Sequence, residues 1–397
     1  MIGSAPGAAA HALPALLRVG VATTVLVATF AMLNPVLAVH LQMAGLSASA
    51  IGIYAMLPFL SIALMVPLMP RLFARIGVPR AYRLGVLLEI ISMLGYAYVG
   101  PSQANYAAWC AFAALGGIGT AAAWNGTEAL IAHNAPPDRR GRYMGIYQTA
   151  LGAALAIGPF VPGVLTLSLA AMVWLALGML VLALSITFGR GVGALVAGHA
   201  GALPVSLVRA MARVPGLVCV AFAGGVFEAG LGSISTAHGS QTGLSLGAAA
   251  SIAGALGTGS LLLQYPCGWL ADHLAPRRLF SVSAAVLLLA SVAYAGASVW
   301  PPVMWLSAFA WGAVGGALYT LTMIRVAHEF ADSSTIAGTA AMITSYTLGG
   351  ALGPAVSGVM LDGFGAVGQA GWLSLLSVCV YAVARRMSAQ PPRPLAT

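Results

Sequence analysis

Charge is what this sequence has least of. Only 6% of its 397 residues are charged, with eight acids against seventeen basic residues, every one of them arginine. A soluble globular chain is about one quarter charged and about half apolar. Here 60% of the residues are hydrophobic and the mean hydropathy is +0.94. In water such a chain would expose very large apolar patches, so it reads as an all-α, polytopic membrane protein. The absence of lysine excludes a Gly-x-x-x-x-Gly-Lys-Ser/Thr phosphate loop, and with it transport driven by ATP on this chain alone. The formal charge of +9 does not point to nucleic acid, because the arginines punctuate apolar runs and form no continuous patch. Cys110, Cys219, Cys267 and Cys379 each stand alone in an apolar run, which suggests neither a disulfide framework nor a metal site. No His, Cys and Asp/Glu set has usable spacing, so no catalytic residue, metal or cofactor is expected.

What is present is a series of apolar runs. A spanning helix needs about 20 mostly apolar residues. Runs of that order recur near 15–41, 46–69, 81–100, 105–133, 142–164, 167–189, 215–238, 244–270, 277–298, 302–329, 335–361 and 366–387, which makes twelve. The first reads as an uncleaved span, since no small-residue cleavage site follows a short apolar core. The longest connection, 190–214, falls at the midpoint and divides a half at 1–189 from a half at 215–397. Arg71, Arg75, Arg80 and Arg83 follow span 2, Arg139, Arg140 and Arg142 follow span 4, and Arg277 and Arg278 follow span 8. Loops after odd-numbered spans carry none, so both termini are expected in the cytoplasm, and the chain in a bacterial inner membrane.

The halves repeat. Ile131-Ala132-His133 matches Val326-Ala327-His328, Gly158-Pro159 matches Gly353-Pro354, and Gly163 matches Gly358, all at an offset of 195 (353 − 158). Paired six-span repeats are a transporter architecture with the solute site between them. The stretch Pro136-Pro137-Asp138-Arg139-Arg140-Gly141-Arg142, the later Gly-Pro-x-x-x-Gly, and Gly268-Trp269-Leu270-Ala271-Asp272 before Arg277-Arg278 resemble the major facilitator superfamily. Trp124-Asn125-Gly126-Thr127-Glu128 and Ser345 to Pro354 are most similar to its YcaD-like branch. The resemblance covers nearly the whole chain. It implies two six-helix bundles, alternating access and, as the usual state, a monomer. Two departures matter: Ala74 stands where the family usually carries aspartate, and span 1 has no carboxylate, which argues against simple sugar–proton symport.

Gly152, Gly158, Pro159 and Gly163 lie along span 5, and Gly349, Gly353, Pro354 and Gly358 along span 11. Glycine permits close helix approach and proline bends helices. These are expected to be bending, packing segments at a rocking interface; the alternative is ordinary tight packing.

An intramembrane charge costs about 2.5–3.5 kcal/mol on insertion scales, so Glu89, Glu128 and Glu228 need reasons. Glu228 lies about 20 Å into span 7 at 1.5 Å per residue, and could carry a proton or be a structural acid. Glu128 is a second proton-coupling candidate, or half of a cytoplasmic latch Arg75–Glu128 matched by Asp272–Arg325. Arg325 could instead pair with Glu329, four residues on. Glu89 favours a structural bond. His40 and His238, at opposite-half span ends, could titrate as a pair or simply sit at the interface. Candidate cavity contacts are Asn34, Tyr54, Trp124, Asn125, Gln148, Gln264, Tyr265, Tyr319 and Tyr346. A moderately polar, aromatic cavity suits a small organic solute. The expected function is proton-coupled secondary transport, with efflux leading. An uncoupled facilitator or a solute–proton symporter, for example for sugar, is the alternative. The expected partners are a small-molecule solute, protons and the lipid bilayer.

Overall fold

The computed structural model describes residues 6–136, 139–195, 207–330 and 335–387, and these residues are helical with short connections. The helices are α1 (Pro6–Met43), α2 (Ala48–Met65), α3 (Met69–Ile76), α4 (Val78–Tyr98), α5 (Tyr106–Asn134), α6 (Arg140–Ile157), α7 (Val161–Leu165) and α8 (Leu169–Ile186). They continue with α9 (Leu207–Arg213), α10 (Pro215–Gly225), α11 (Leu231–Gln241), α12 (Leu246–His273), α13 (Pro276–Tyr294), α14 (Val303–Glu329) and α15 (Thr335–Arg385). Ten stretches among the described residues are long and apolar enough to cross a membrane. One of them, Ala337–Arg385, is 49 residues long, far more than one crossing needs. Gly365 divides it, at φ 63° and ψ −156°, a backbone conformation natural only to glycine.

Short hairpins at the arginine-free ends are built the same way twice. Gly45-Leu46-Ser47 and Gly243-Leu244-Ser245 stand 198 residues apart (243 − 45). Both glycines take the left-handed conformation, at φ 82° and 89°. Both serines accept a bond from the backbone N–H three residues on, capping α2 and α12. At the opposite ends arginines tie spans together. Arg83 donates to the Thr187 carbonyl at 2.7 Å and lies over the Phe188 ring, and Arg213 donates to the Glu329 carbonyl at 3.0 Å and lies over Phe330.

The Gly-Pro segments behave differently in the two halves. At Gly158-Pro159 the α ladder gives way to a tighter turn, Gly158–Phe160, before α7 resumes. At Gly353-Pro354 α15 continues without a break, so the bend expected there is not a break in the helix. Both sets still serve close packing. A Cβ on Gly158 would lie 2.7 Å from the Ala31 Cβ, one on Gly152 3.0 Å from Leu261, and one on Gly353 3.2 Å from Val226.

One apolar core draws on residues 15–195 with Ala237, and two more on residues 207–384 with Ala48. Between these masses, α2 runs against α15 and α6–α7 against α12. Gly52 meets the Pro354 carbonyl, Gly358 meets Ala48, and Gly163 faces Gly247 across the second crossing. The polar ties between the masses sit at the arginine-free ends. Ser240 donates to Gln42 at 2.9 Å. Asp362 accepts from the N–H groups of Ala48 at 2.9 Å and Ser49 at 2.7 Å, and from the Ser49 hydroxyl at 2.5 Å. A carboxylate from α15 thus caps α2, where the helix dipole favours negative charge.

Asp362→Ala removes these bonds, and Asp362 is not itself part of any of the three cores. We expect it to raise the population separated at the arginine-free ends by about three- to tenfold, the range for partly exposed bonds to a charged acceptor. Spin labels on cysteines replacing Ala104 and Val299, in a background without native cysteines, read this as a longer inter-label distance. An unchanged distance distribution would show that the cap carries no weight.

Candidate functional site

The seventh apolar run is where the chain departs from α geometry. Gly224-Gly225-Val226-Phe227-Glu228-Ala229-Gly230-Leu231-Gly232 sets four glycines around one acid. After α10, Val226–Gly230 forms a π turn, and α11 follows. Such turns interrupt the i→i−4 ladder and occur frequently at functional sites. Glycine lets neighbouring backbones hold it. A Cβ on Gly225 would collide with the Tyr346 carbonyl of α15, and one on Gly315 of α14 would lie 2.9 Å from the Glu228 backbone N.

The Glu228 carboxyl is met from two further helices. Ser260 on α12 donates to Oε1 at 2.5 Å, and Tyr346 on α15 donates to Oε2 at 2.8 Å. Gln264, one turn along α12, donates to the Ser260 hydroxyl at 3.3 Å. Tyr346 packs on Tyr319 of α14 with ring centroids 4.5 Å apart. Gly316 of α14 lies flush against the group, since a Cβ there would stand 2.7 Å from Glu228 Oε1 and 2.9 Å from Ser260 Oγ.

Glu128 on α5 has a separate set. The Trp124 indole donates to Oε1 at 2.8 Å and Gln148 on α6 at 3.2 Å. One carboxyl comes from each half of the chain, Glu128 on α5 and Glu228 on the π turn. Both are half-buried, while Gln148 and Gln264 are exposed. Among the described residues neither carboxyl has an ion-pair partner; its bonds come from neutral donors. Such a pair can accept a proton or a positively charged group.

Of the residues expected in a cavity, Trp124, Gln148, Gln264, Tyr319 and Tyr346 gather around these two acids. Asn34 is half-buried on α1, and Asn125 bonds its own helix at the Ala121 carbonyl, 2.7 Å away. Two expectations are corrected. Tyr54 is 3% exposed, its hydroxyl 2.9 Å from that of Tyr96 and its ring against Trp109, so it belongs to the interior of the first half. Tyr265 is 83% exposed and points about 140° around α12 from Ser260, at 100° per residue. The Arg75–Glu128 latch is not formed: Arg75 stands exposed on α3, and Glu128 holds Trp124 and Gln148. Arg325 pairs with Glu329 at 3.0 Å, and the side chain of Asp272 lies outside the described residues. Glu89 accepts from Thr120, a bond within the first half. His238 meets the Tyr294 hydroxyl at 2.7 Å and His40 the Val36 carbonyl at 2.8 Å, each a bond within its own half.

Reading the sequence missed Ser260, Gly316 and the π turn. Ser260 carried a signal, since it stands one helical turn before Gln264. Gly-Gly pairs at 224–225, 315–316 and 349–350 mark the crossings that frame Glu228. The π turn itself leaves no periodic signature.

Two packed helical masses built from helices of membrane-crossing length are the architecture of a polytopic membrane protein. The sequence profile of the Major Facilitator Superfamily matches residues 19–257 and 216–396, and the chain belongs to that family. Among curated proteins it is similar to an uncharacterized MFS-type transporter, YcaD, from Salmonella dublin, 24% identical over 297 residues, which are 74% of this chain and 75% of that one. The Escherichia coli YcaD is likewise 24% identical over 292 residues, 73% of this chain and 74% of that one. Among solved structures, a mutant of the nucleoside transporter NupG shares the fold at TM-score 0.76 and 10% identity, over 94% of this chain and 98% of that one. A bacterial homologue of the human lysosomal transporter Spinster, inward-facing and unoccupied, shares it at TM-score 0.72 and 18% identity, over 96% of each chain.

Gly316→Ala tests the packing at Glu228. It should cost about 1–3 kcal/mol of stability, the usual penalty for overfilling a packed site. Gly268→Ala on α12, where a Cβ meets nothing within 4 Å, should be neutral or gain up to about 1 kcal/mol. Thermal unfolding in detergent compares the two; equal effects would mean that Gly316 is not constrained by the carboxyl.

Proposed function

We propose that this chain is a proton-coupled secondary transporter of a small organic solute, working by alternating access, with efflux as its physiological direction. The observation that carries the reading is Glu228: a carboxyl on a π turn, bonded only by neutral donors, at the junction of α12, α14 and α15. A group so placed can exchange a proton as its neighbours shift. The reading takes the chain as twelve spans, with α4 among them and Gly365 separating the last two. Both termini and the arginine-rich loops face the cytoplasm of a bacterial inner membrane, and the chain acts as a monomer.

The state described is then inward-facing. The halves touch at the arginine-free ends through Asp362, Ser240 and the glycine crossings. Gln148 and Gln264 are exposed on the way from the two acids to the arginine-rich ends. Glu128 is the second proton-coupling group. Its Trp124 and Gln148 partners leave it free to meet solute or proton from the cytoplasmic side. A latch of Asp272 with Arg325 would act on closure of that side, when the Arg325–Glu329 pair is exchanged.

The test uses proteoliposomes with a trapped pH dye. Sugars, nucleosides, amino acids, organic acids and organic cations are added outside, and wild type is compared with Glu228→Gln. We expect one solute class to change the internal pH, and the rate to fall by about 10²-fold or more in the variant, the scale on which a positioned acid–base group acts. Solute flux without a pH change, equal in both proteins, would make the chain a facilitator and Glu228 structural.

A further inference from the structure

We propose that α3 and the start of α4 bind the headgroup of an anionic phospholipid. Arg71 and Arg75 hold its phosphate, Arg80 stands beside them, and the acyl chains lie along the outer face of α2. Such a site requires only that α2 crosses a bilayer, and stands apart from any solute or proton.

The outer face of α2 is fixed by its neighbours. On one side Gly52 meets the Pro354 carbonyl of α15, where the two halves touch. On another, Pro58 and Ser61 meet Gly117 of α5. On a third, Ile51 and Ala55 are buried. Ile53 is 43% exposed although it sits level with the closed Gly52 crossing, so its side faces away from the protein. At about 100° per residue, Leu64 lies about 20° from Ile53 around the helix, and it is 64% exposed. That side therefore runs along the lipid toward the arginine-rich end, where Leu68 is exposed as well.

Beyond these leucines, after the tight turn Val66–Leu68, the chain continues as α3. Met69 is buried, Leu72, Phe73 and Ile76 are half-buried, and α3 packs on α4 and α5. Arg71 and Arg75 stand exposed four residues apart, on one face of the helix. Gly77, at φ 80°, turns the chain into α4, whose first turn holds the exposed Arg80. Arg83, a turn further on, is half-buried and already holds Thr187 and Phe188.

Among the described residues no carboxylate meets Arg71, Arg75 or Arg80. The arginine groups after spans 4 and 8 each include an acid, Asp138 and Asp272, whereas residues 66–88 contain none. Glu89, Glu128, Glu228, Glu329 and Asp362 hold partners elsewhere, and the side chains of the other three acids lie outside the described residues. A counter-charge from outside the chain fits this surface. Guanidinium groups bind phosphate oxygens through paired N–H bonds, and basic residues beside a membrane attract anionic lipids. The leucines favour a lipid over a soluble phosphate. Leu64 and Arg71 are about 10 Å apart along the axis at 1.5 Å per residue, enough to pass from acyl chains into a headgroup layer roughly 5–8 Å thick.

The test places a fluorophore on Leu64→Cys in the full-length protein, in a background without native cysteines, reconstituted in phosphatidylcholine bilayers. Dibrominated phosphatidylglycerol or dibrominated phosphatidylcholine is added, and quenching reports which lipid occupies that face. We expect phosphatidylglycerol to bind there at least about fivefold more tightly, the scale for one arginine near an anionic surface. Arg71→Gln combined with Arg75→Gln should bring the ratio to about one. Arg278→Gln, at an exposed arginine after span 8, should leave it unchanged. All these positions are exposed, so the variants retain the packed interior. A ratio of one in the parent protein overturns the proposal, and so does a preference that the double variant keeps in full. Inorganic phosphate separates the two sources of the anion. If it abolishes the preference where chloride of equal ionic strength does not, the arginines take a free anion and the lipid is overturned. A preference that survives phosphate supports the lipid.

Discussion

Lipid tails are as apolar as leucine, so helices inside a bilayer are not pushed together by the hydrophobic effect and must be held by contact. In this chain that contact is backbone against backbone. Gly225 lies under the Tyr346 carbonyl, Gly349 under the Phe222 carbonyl, Gly312 under the Leu256 carbonyl and Gly259 under the Phe309 carbonyl. None of these positions accepts even a methyl group without movement. The second half is therefore a set of rods locked at glycine crossings, and the elements around Glu228 inherit their spacing from them. Ser260 and Tyr346 can both reach one carboxyl because α12 and α15 are held this close to the π turn.

The few acids divide by what the packing allows them. Glu89 sits inside the first half with Thr120 and against Gly116, and Asp362 sits at a helix end, capping α2. Both have fixed structural partners. Glu128 and Glu228 differ, because each is half-buried and holds polar and aromatic partners: Trp124 and Gln148 for one, Ser260 and Tyr346 for the other. The Gly-Gly pairs at 116–117 and 315–316 set a carboxyl against a glycine in each half. In the first half that carboxyl is closed in. In the second, the carboxyl sits on the π turn and stays half-exposed. The same packing device thus yields a structural acid on one side and an accessible one on the other.

Much of the architecture was legible because membranes impose simple rules. Apolar runs of crossing length, arginine-rich loops and a repeat at offset 195 were all readable, and most helices follow those runs within a few residues, though α1 starts earlier at Pro6, α3 carries the second run on to Ile76, and the last two runs share the stretch that Gly365 divides. So was the pairing of Gly158-Pro159 with Gly353-Pro354. That only the first breaks its helix was not readable, since proline's lost bond can be absorbed when neighbours hold the backbone, as they hold α15. The site was half readable. Residue type suggested Tyr319, Tyr346, Gln148, Gln264 and Trp124, but also Tyr54 and Tyr265, which face an interior and an outer surface. In an apolar helix every face looks alike, so a tyrosine's direction depends on neighbours that local sequence does not specify. The Gly-Leu-Ser hairpins at 45–47 and 243–245 were readable in principle, because positive φ and a serine cap need those residue types.

On the alternating-access reading proposed above, the distribution of cross-half contacts lets the polar centre be both well built and movable. Glu228's partners Ser260 and Tyr346 come from its own half, and Glu128's partners Trp124 and Gln148 from the other. No bond in either set has to break when the halves move relative to each other. Among the described residues, the bonds seen to span the halves, at Asp362 and at Ser240 with Gln42, lie at the arginine-free ends. There water can replace what is lost, so the penalty for breaking them is small compared with an unsatisfied group in the apolar interior. Rigid halves with internally satisfied acids, joined by exchangeable contacts at the rim, can pass from one arrangement to another without burying an unpartnered polar group on the way.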